Sequence, residues 1–340
     1  MKHHPCIRIP FVLLLVSGPA SAQEFGPWST PVNLGPPVNS AFDDMHPTLS
    51  KHGLSLIFSS TRPGTGGLDL WVTQRDSLDS PWQPPQNLTM LNTPFDDHAA
   101  NLTTDGHWLF FYSTRPGGCN AGQRHELWAS HRQNKRDDFG WEPPINLGCT
   151  LNVPGADDGG PGYWQDDTTG TNYLYFARNF TPANANGFNI YVSTCTADLD
   201  SCNRQQLWSP AEYVAELNSP GFRNTKTAIR HRDGLEIIVT SNRFGTTGGL
   251  DLWVATRATA LDRWQLPINL NTDNQDKCLQ SDVDPGSCPA VNTPANDGAA
   301  ALSWDGQTMI LYSNRAGRGG LGGNDLYIST RRKLRLDGEP

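Results

Sequence analysis

The stretch Trp82-Gln83-Pro84-Pro85-Gln86-Asn87-Leu88 decides the fold, because it occurs several times along the chain. Close copies begin at Trp28, Trp141 and Trp264, and a weaker copy begins at Trp208. Successive copies start 54 to 67 residues apart. Self-similarity at a nearly constant spacing is typical of an architecture built from repeated supersecondary units.

Each copy continues in the same order after this stretch. A pair of acidic or amide residues comes next, then a turn such as Asp105-Gly106, then an apolar run that ends in an arginine. A glycine-rich segment leads to a last motif such as Asp69-Leu70-Trp71. Short runs of β-forming residues separated by Asp-Gly turns predict strands joined as hairpins. The five arginines are Arg62, Arg115, Arg178, Arg243 and Arg315.

Each copy offers four strands, and repeated four-stranded units of this length are typical of β-propellers. An outer-strand motif precedes the first inner strand, and the last copy ends with a third strand at Asp325. We therefore expect the N-terminal strand to complete the last blade and remove an open sheet edge. The prediction is an all-β chain, a single five-bladed β-propeller, whose blades start near Trp28, Trp82, Trp141, Trp208 and Trp264. No segment of helical period with caps stands out.

Residues 1–22 resemble a cleaved export signal, with Lys2 and Arg8 before a short apolar run and Ala20-Ser21-Ala22 at the cleavage site. The predicted mature propeller then comprises residues 23–340, in the periplasm or secreted. The apolar run is shorter than the roughly 20 residues of a membrane span. The formal net charge of −8 becomes more negative by two when the leader is lost. Such acidity argues against nucleic acid or an anionic membrane as partner, and we expect a monomer.

Six cysteines follow the leader, and an even number in an exported chain predicts disulfides. Pairing each cysteine with its neighbour in sequence predicts Cys119–Cys149, Cys195–Cys202 and Cys278–Cys288. A zinc site is the alternative, but no C-x-x-C pair is present.

The repeats resemble the WD40-like propeller repeats of the TolB type. The resemblance rests on the Asp-Gly turn, a Ser-x-Arg-x-Gly-Gly segment and the Asp-Leu-Trp/Tyr strand, and it covers residues 27–332. It implies an exported binding or scaffold protein. The chain departs from the pattern in blade 3, which has Asp166-Asp167-Thr168-Thr169-Gly170 in place of the Asp-Gly turn, and in blade 4, which has Arg223-Asn224 in place of the acidic pair. It also departs in blade 5, which carries an insertion from Asn271 to Val291.

Function is best sought at the start of the innermost strands, which face the central channel of a propeller. The recurring position forms a ring of Asp44, Asp97, Asp158, Asn224 and Asp297. A structural interpretation of this ring is that each residue caps a turn. The repeat does not account for His46, His98, Arg223 and Lys226, which lie beside the ring. We expect these eight charged or imidazole side chains to form one ligand site at a channel mouth.

Three functions fit this arrangement. The first is a binding module for a protein or glycan ligand, with no cofactor required. The second is a glycoside-active enzyme, hydrolase or lyase, in which Asp44, Asp97 and Asp158 supply the acid and base. Five-bladed glycoside-active families place carboxylates at inner-strand starts, but they usually carry the acid on a glutamate, and no glutamate lies on this ring. The third is a metal site, with Ca²⁺ in the central channel or a transition metal if a histidine takes part.

Overall fold

The computed structural model describes residues 25–181, 183–280, 285–316 and 320–334. These residues form five separate four-stranded antiparallel sheets, which are the five blades of a β-propeller. The predicted fold is therefore confirmed. The export signal predicted at residues 1–22 lies outside the described residues.

The strands run from the channel outwards within each blade. Blade 1 contains β2 (Asp44–Leu49), β3 (Ser55–Ser60), β4 (Asp69–Gln74) and β5 (Gln86–Asn87). Blade 2 contains β6 (Asp97–Leu102), β7 (Trp108–Ser113), β8 (Glu126–His131) and β9 (Ile145–Asn146). Blade 3 contains β10 (Asp157–Gln165), β11 (Asn172–Asn179), β12 (Asn189–Cys195) and β13 (Glu212–Tyr213). Blade 4 contains β14 (Asn224–Ile229), β15 (Glu236–Ser241), β16 (Asp251–Thr256) and β17 (Ile268–Asn269).

Blade 5 closes the ring with strands from both ends of the described chain. It contains β18 (Asp297–Leu302), β19 (Thr308–Ser313), β20 (Asp325–Thr330) and, on the outside, β1 (Val32–Asn33). Val32 pairs with Ile328 and Asn33 pairs with Tyr327 in antiparallel register. The expected closure by the N-terminal strand is confirmed.

The apolar core lies between neighbouring blades, where the alternating side chains of two sheets interdigitate. The repeat tryptophans belong to this packing, and arginines that follow the third strand of a blade lie over them. Arg132 is 4.4 Å from the ring centroid of Trp141, and Arg331 is 4.2 Å from that of Trp28. Cation–π contacts of this kind fix the outer strand against its blade.

The three expected disulfides, Cys119–Cys149, Cys195–Cys202 and Cys278–Cys288, are present. The prediction missed two helices, α1 (Leu199–Arg204) and α2 (Leu270–Gln280), and three single 3₁₀ turns, Ala185–Gly187, Ala215–Leu217 and Pro285–Ser287. The second helix lies in the blade 5 insertion and has few apolar residues, so it shows no helical period in the sequence. Among the described helices, none has the length and apolar character needed to cross a membrane.

Every innermost strand carries an irregularity near its start, and this feature shapes the channel. The pairing register shifts after Met45, His98, Gly159, Thr225 and Gly298. The backbone φ is positive at His46, Ala99, Gly160, Lys226 and Ala299, which are equivalent positions in the five blades. A bulge redirects the side chains around it. The five bulges therefore decide which groups face the channel axis.

We expect Asn274→Ala in α2 to destabilise the closed ring. The buried Asn274 side chain accepts a hydrogen bond from the backbone N–H of Trp28 (2.8 Å) and donates to its carbonyl (2.9 Å). Loss of these bonds leaves buried polar groups of the closing segment unsatisfied, at a cost of about 2 kcal/mol or more in unfolding free energy. Urea unfolding measures this change. The exposed neighbour Gln275→Ala is the matched control, and equal stability of both variants would contradict the role of Asn274.

Candidate functional site at the first channel mouth

The recurring aspartates at the heads of the inner strands are held in buried clamps with the repeat arginines. In each blade the arginine side chain donates to the ring residue, and it also donates to a backbone carbonyl in the loop that leads into the inner strand. The ring side chains are fully buried. The pairs are Arg62–Asp44, Arg115–Asp97, Arg178–Asp158, Arg243–Asn224 and Arg315–Asp297, at 2.5 to 2.9 Å.

The remaining carboxylate oxygens of the clamps also have partners. Oδ2 of Asp44 accepts from the backbone N–H and the hydroxyl of Ser40, and Oδ2 of Asp97 accepts the same two bonds from Thr93. Burial outweighs the charge and the hydrogen bond of Arg178 and raises the pKa of the Asp158 carboxyl to about 7. This geometry gives the ring a turn-capping and blade-fixing role, and we do not assign catalysis to Asp44, Asp97 or Asp158.

The non-repeating residues lie together at the same end of the channel, which we call the first mouth. The imidazole rings of His46 and His98 are 5.6 Å apart, although they belong to different blades. The ring of Tyr112 is 3.9 Å from that of His98, and the ring of Tyr312 is 5.6 Å from that of His46. His125 is 5.6 Å from His98 and completes this aromatic cluster.

Sequence reasoning missed Tyr112, Tyr312 and His125. The two tyrosines lie on second strands, at the position that pairs with the residue before the bulge. The equivalent residues in the other blades are Ser59, Ala177 and Thr240, so a comparison of repeats along the second strand would have singled out both tyrosines. Gly159 and Gly298 make room for them, because a Cβ at either position would approach a tyrosine ring or hydroxyl to about 3 Å.

Arg223 faces this mouth because it replaces a residue that links neighbouring blades elsewhere. In blade 2, the equivalent Asp96 accepts a hydrogen bond from the backbone N–H of Leu68 in blade 1. In blade 3, Asp157 accepts from the N–H of His125 in the same way. An arginine cannot accept such a bond, and the guanidinium of Arg223 instead lies 5.7 Å from the ring of Phe188.

Lys226 crosses the channel floor and joins three blades. Its buried ammonium group donates to the carbonyls of Ala99 (3.3 Å), Ala100 (3.1 Å) and Pro161 (2.9 Å). No carboxylate forms an ion pair with it among the described residues. Burial lowers the pKa of Lys226 to about 7.

Burial keeps the imidazoles of His46 and His98 neutral. Burial, aided by the charges of Lys226 and Arg223, lowers the pKa of His46 to about 3. Burial, together with His46, His125 and Lys226, places the pKa of His98 well below its usual value. Burial raises the pKa of Tyr112, so its phenol stays protonated. The mouth therefore holds neutral proton acceptors, a phenolic donor and a guanidinium.

Several polar atoms at this mouth lack partners. Both ring nitrogens of His98, Nδ1 of His46 and Nε of Arg223 are buried without a hydrogen bond. Buried polar groups are normally satisfied, so these atoms indicate a ligand-binding surface. Within the described residues, no group of three His, Cys, Asp or Glu side chains is arranged to share a metal ion.

No family model matches the chain, and no curated protein matches it. Several solved structures with a similar fold are glycoside hydrolases. A thermostable family-43 glycoside hydrolase matches with a TM-score of 0.55 and 12% identity, over 89% of this chain and 93% of that one. The catalytic domain of a GH62 α-L-arabinofuranosidase from Coprinopsis cinerea matches with a TM-score of 0.56 and 13% identity, over 90% and 97%. An α-L-arabinofuranosidase from Lactobacillus brevis gives 0.51 and 15%, over 90% and 95%.

These comparisons correct the order of the functional hypotheses. The sequence alone favours a ligand- or protein-binding module over a glycoside-active enzyme, and this order is wrong. The three solved structures above are glycoside hydrolases that match about 90% of the chain, so the comparisons support the enzyme alternative better than the binding module. The resemblance to TolB-type repeats is confirmed only for a five-bladed propeller. At this level of identity the likeness establishes the fold alone.

We expect Asp97→Ala to destabilise the protein strongly and Asp97→Asn to do so much less. The alanine leaves the buried guanidinium of Arg115 without its carboxylate, which costs about 3–5 kcal/mol. The amide is tolerated because Asn224 already binds Arg243 in blade 4, at 2.9 Å. Urea unfolding of the two variants provides the comparison, and the clamp model fails if Asp97→Ala is as stable as the parent.

The lowered pKa of His46 predicts a loss of stability in acid. The folded protein binds a proton at His46 more weakly than the unfolded chain does, so the free energy of unfolding falls as pH drops from 6.5 to about 3. His46→Asn removes this titration, and asparagine tolerates the positive φ of 51° at this position. Urea midpoints across this pH window should fall less steeply in His46→Asn than in the parent. The exposed His52→Asn is the control, and identical slopes for His46→Asn and the parent would refute the prediction.

Proposed function

We propose that this protein cleaves glycosidic bonds in an acidic glycan at the first mouth, by elimination. The observation that carries the proposal is the convergence of His46, His98, Tyr112 and Arg223, with both nitrogens of His98 unpaired. Support for a glycan substrate comes from the glycoside hydrolases that share the fold. The ring carboxylates are occupied by arginines, which disfavours a mechanism that needs two accessible carboxyl groups.

The charge of the mouth favours a negatively charged sugar. Arg223 and Lys226 contribute positive charge, and the nearby Asp157 is occupied by His125. A uronate carboxylate bound at Arg223 would form a charge-assisted hydrogen bond. It would also offset the positive charge of Lys226, which adds to the effect of burial in lowering the pKa of His98, and it would thereby raise the proton affinity of His98 once substrate is bound.

The proposed step uses these groups as a general base and a general acid. Neutral His98 takes the proton from the ring carbon next to the uronate carboxylate, while Arg223 stabilises the charge that develops on that carboxylate. The electron pair forms a carbon–carbon double bond as the bond to the glycosidic oxygen breaks. The leaving oxygen takes a proton from the phenol of Tyr112, which lies against His98. No water is consumed.

The test is mass spectrometry of products after incubation with polygalacturonate, alginate and neutral xylan. Elimination gives unsaturated products that lack the mass of one water relative to hydrolysis products and absorb in the ultraviolet. We expect such products only from acidic glycans. The variant His98→Ala should lower kcat/KM by about 100-fold or more, as expected for loss of a general base. Arg223→Ala should lower kcat/KM by a similar factor, because it removes the group that stabilises the developing charge on the uronate carboxylate.

His107→Ala is the matched control, because His107 lies in the turn at the opposite end of the channel. It should retain activity. Products that carry an added water would show hydrolysis instead of elimination. Equal activity of His98→Ala and the parent, or absence of any product from acidic glycans, would overturn the assignment of the site.

The site of action is a further proposal. The leader-like residues 1–22 and the three disulfides favour an oxidising compartment outside the cytoplasm. An extracellular or periplasmic location would bring the protein to polymeric glycans that cannot enter a cell.

A further inference from the structure

The opposite end of the channel, which we call the second mouth, carries a cavity of about 190 Å³. It is formed by the turns that connect the first and second strands of the blades. Every blade contributes to its wall, so the cavity lies on the propeller axis. The cavity-lining side chains that vary most between blades are Lys51, Thr104, Gln165, His231 and Trp304.

These five side chains occupy one equivalent position of the repeat. Each follows directly after one repeat residue near the end of the inner strand, namely Ser50, Thr103, Trp164, Arg230 and Ser303. The turns of blades 1, 2 and 5 share a backbone hydrogen bond, from the N–H of Ser50, Thr103 or Ser303 to the carbonyl five residues later. In these three blades the turn is kept, and in all five blades the side chain that faces the axis differs. Variation of this kind at a convergent position indicates recognition rather than folding.

Two contacts give the cavity a defined shape. The hydroxyl of Thr104 and Nδ1 of His231 are 3.1 Å apart, which joins blade 2 to blade 4 across the axis. Blades 2 and 4 are not neighbours, so this bond spans the mouth. On the other side, Lys51 Nζ lies 4.8 Å from the ring centroid of Trp304 and joins blades 1 and 5.

The chemistry of the wall suits a sugar ring. An indole, an exposed amide at Gln165 and an exposed carboxylate at Asp167 together offer an apolar face and both hydrogen-bond donors and acceptors. The volume is below the roughly 300–1,000 Å³ of pockets for drug-sized ligands. It is therefore of a size for one ring rather than a whole oligosaccharide.

A second cavity of about 370 Å³ continues from the first, and the charge of its wall favours an anionic ligand. The two cavities share Lys51, Thr104 and Asp105, and the second runs outwards over blade 2. Its outer wall carries the exposed Lys135 and Arg136. The walls also contain the carboxylates of Asp105 and Asp167, but Asp105 accepts hydrogen bonds from the Thr103 hydroxyl and the His107 N–H. Lys51, Lys135 and Arg136 therefore give this surface a local attraction for negative groups, although the formal net charge of the protein is −8.

We propose that the second mouth is a separate saccharide-binding site that holds an acidic oligosaccharide, with one sugar ring beside Trp304 and Gln165 and its neighbouring acidic groups towards Lys51, Lys135 and Arg136. The choice of an acidic saccharide agrees with the proposed function, but the site stands on its own residues. If the first mouth cleaves an acidic polymer, this site would retain the polymer on the protein without taking part in the chemistry.

The test is isothermal titration calorimetry with tetragalacturonate in the Arg223→Ala background, which removes the anion-binding guanidinium of the first mouth. We expect binding to remain, with one site per chain and weaker affinity at higher salt. Trp304→Ala and the double variant Lys51→Gln, Lys135→Gln should each weaken it by about tenfold or more. Gln165→Ala removes only an exposed amide of the same site, so it tests the site with a smaller risk of a folding defect than Trp304→Ala.

The neutral control ligand is xylotetraose, and His107→Ala is the control variant. Equal affinity for xylotetraose and tetragalacturonate would overturn the acidic assignment. Absence of binding in the Arg223→Ala background, or unchanged affinity in Trp304→Ala and the lysine variant alike, would overturn the site. The proposed function is judged separately by its products: Trp304→Ala should cleave short substrates at the parental rate and should lose efficiency only on long polymers.

Discussion

The buried arginine clamp at the head of each inner strand is the interaction on which the rest of the structure depends. One guanidinium joins the inner strand, the end of the second strand and the loop that enters the blade. Because the clamp recurs five times, it fixes five inner strands at one level around the axis. Breaking a clamp would leave a buried charge without compensation, so each blade is committed to this geometry.

The clamps also decide what chemistry the channel can offer. The ring aspartates resemble a catalytic set in the sequence, but their carboxylates accept hydrogen bonds from the repeat arginines and are buried. What remains at the first mouth is a set of imidazoles, phenols and cations. Burial, rather than any ion pair, dominates the proton affinities of His46, His98 and Lys226.

At both ends of the channel, the side chains that face the axis differ between blades at positions that are equivalent in the repeat. At the first mouth, Arg223 stands where other blades have an acceptor that links neighbouring blades, and Tyr112 stands where blade 1 has the small Ser59. At the second mouth, one position per blade varies, while blades 1, 2 and 5 keep the same turn around it. The clamps hold the heads of the inner strands in every blade, so side chains at these axial positions can differ from blade to blade.

The sequence by itself determined the five blades, the strand order and the closure of the ring. These features follow from local patterns of strand alternation and turn residues. Pairing neighbouring cysteines gave the correct disulfides, but the sequence left their connectivity open and the structure established it. The sequence also singled out His46, His98, Arg223 and Lys226 as exceptions to the repeat. Only the tertiary structure decided that the ring aspartates are clamped, that Tyr112 and Tyr312 join the histidines, and that Thr104 meets His231 across the axis. Such meetings depend on bulges and on the arrangement of blades around the axis, which bring together residues more than a hundred positions apart.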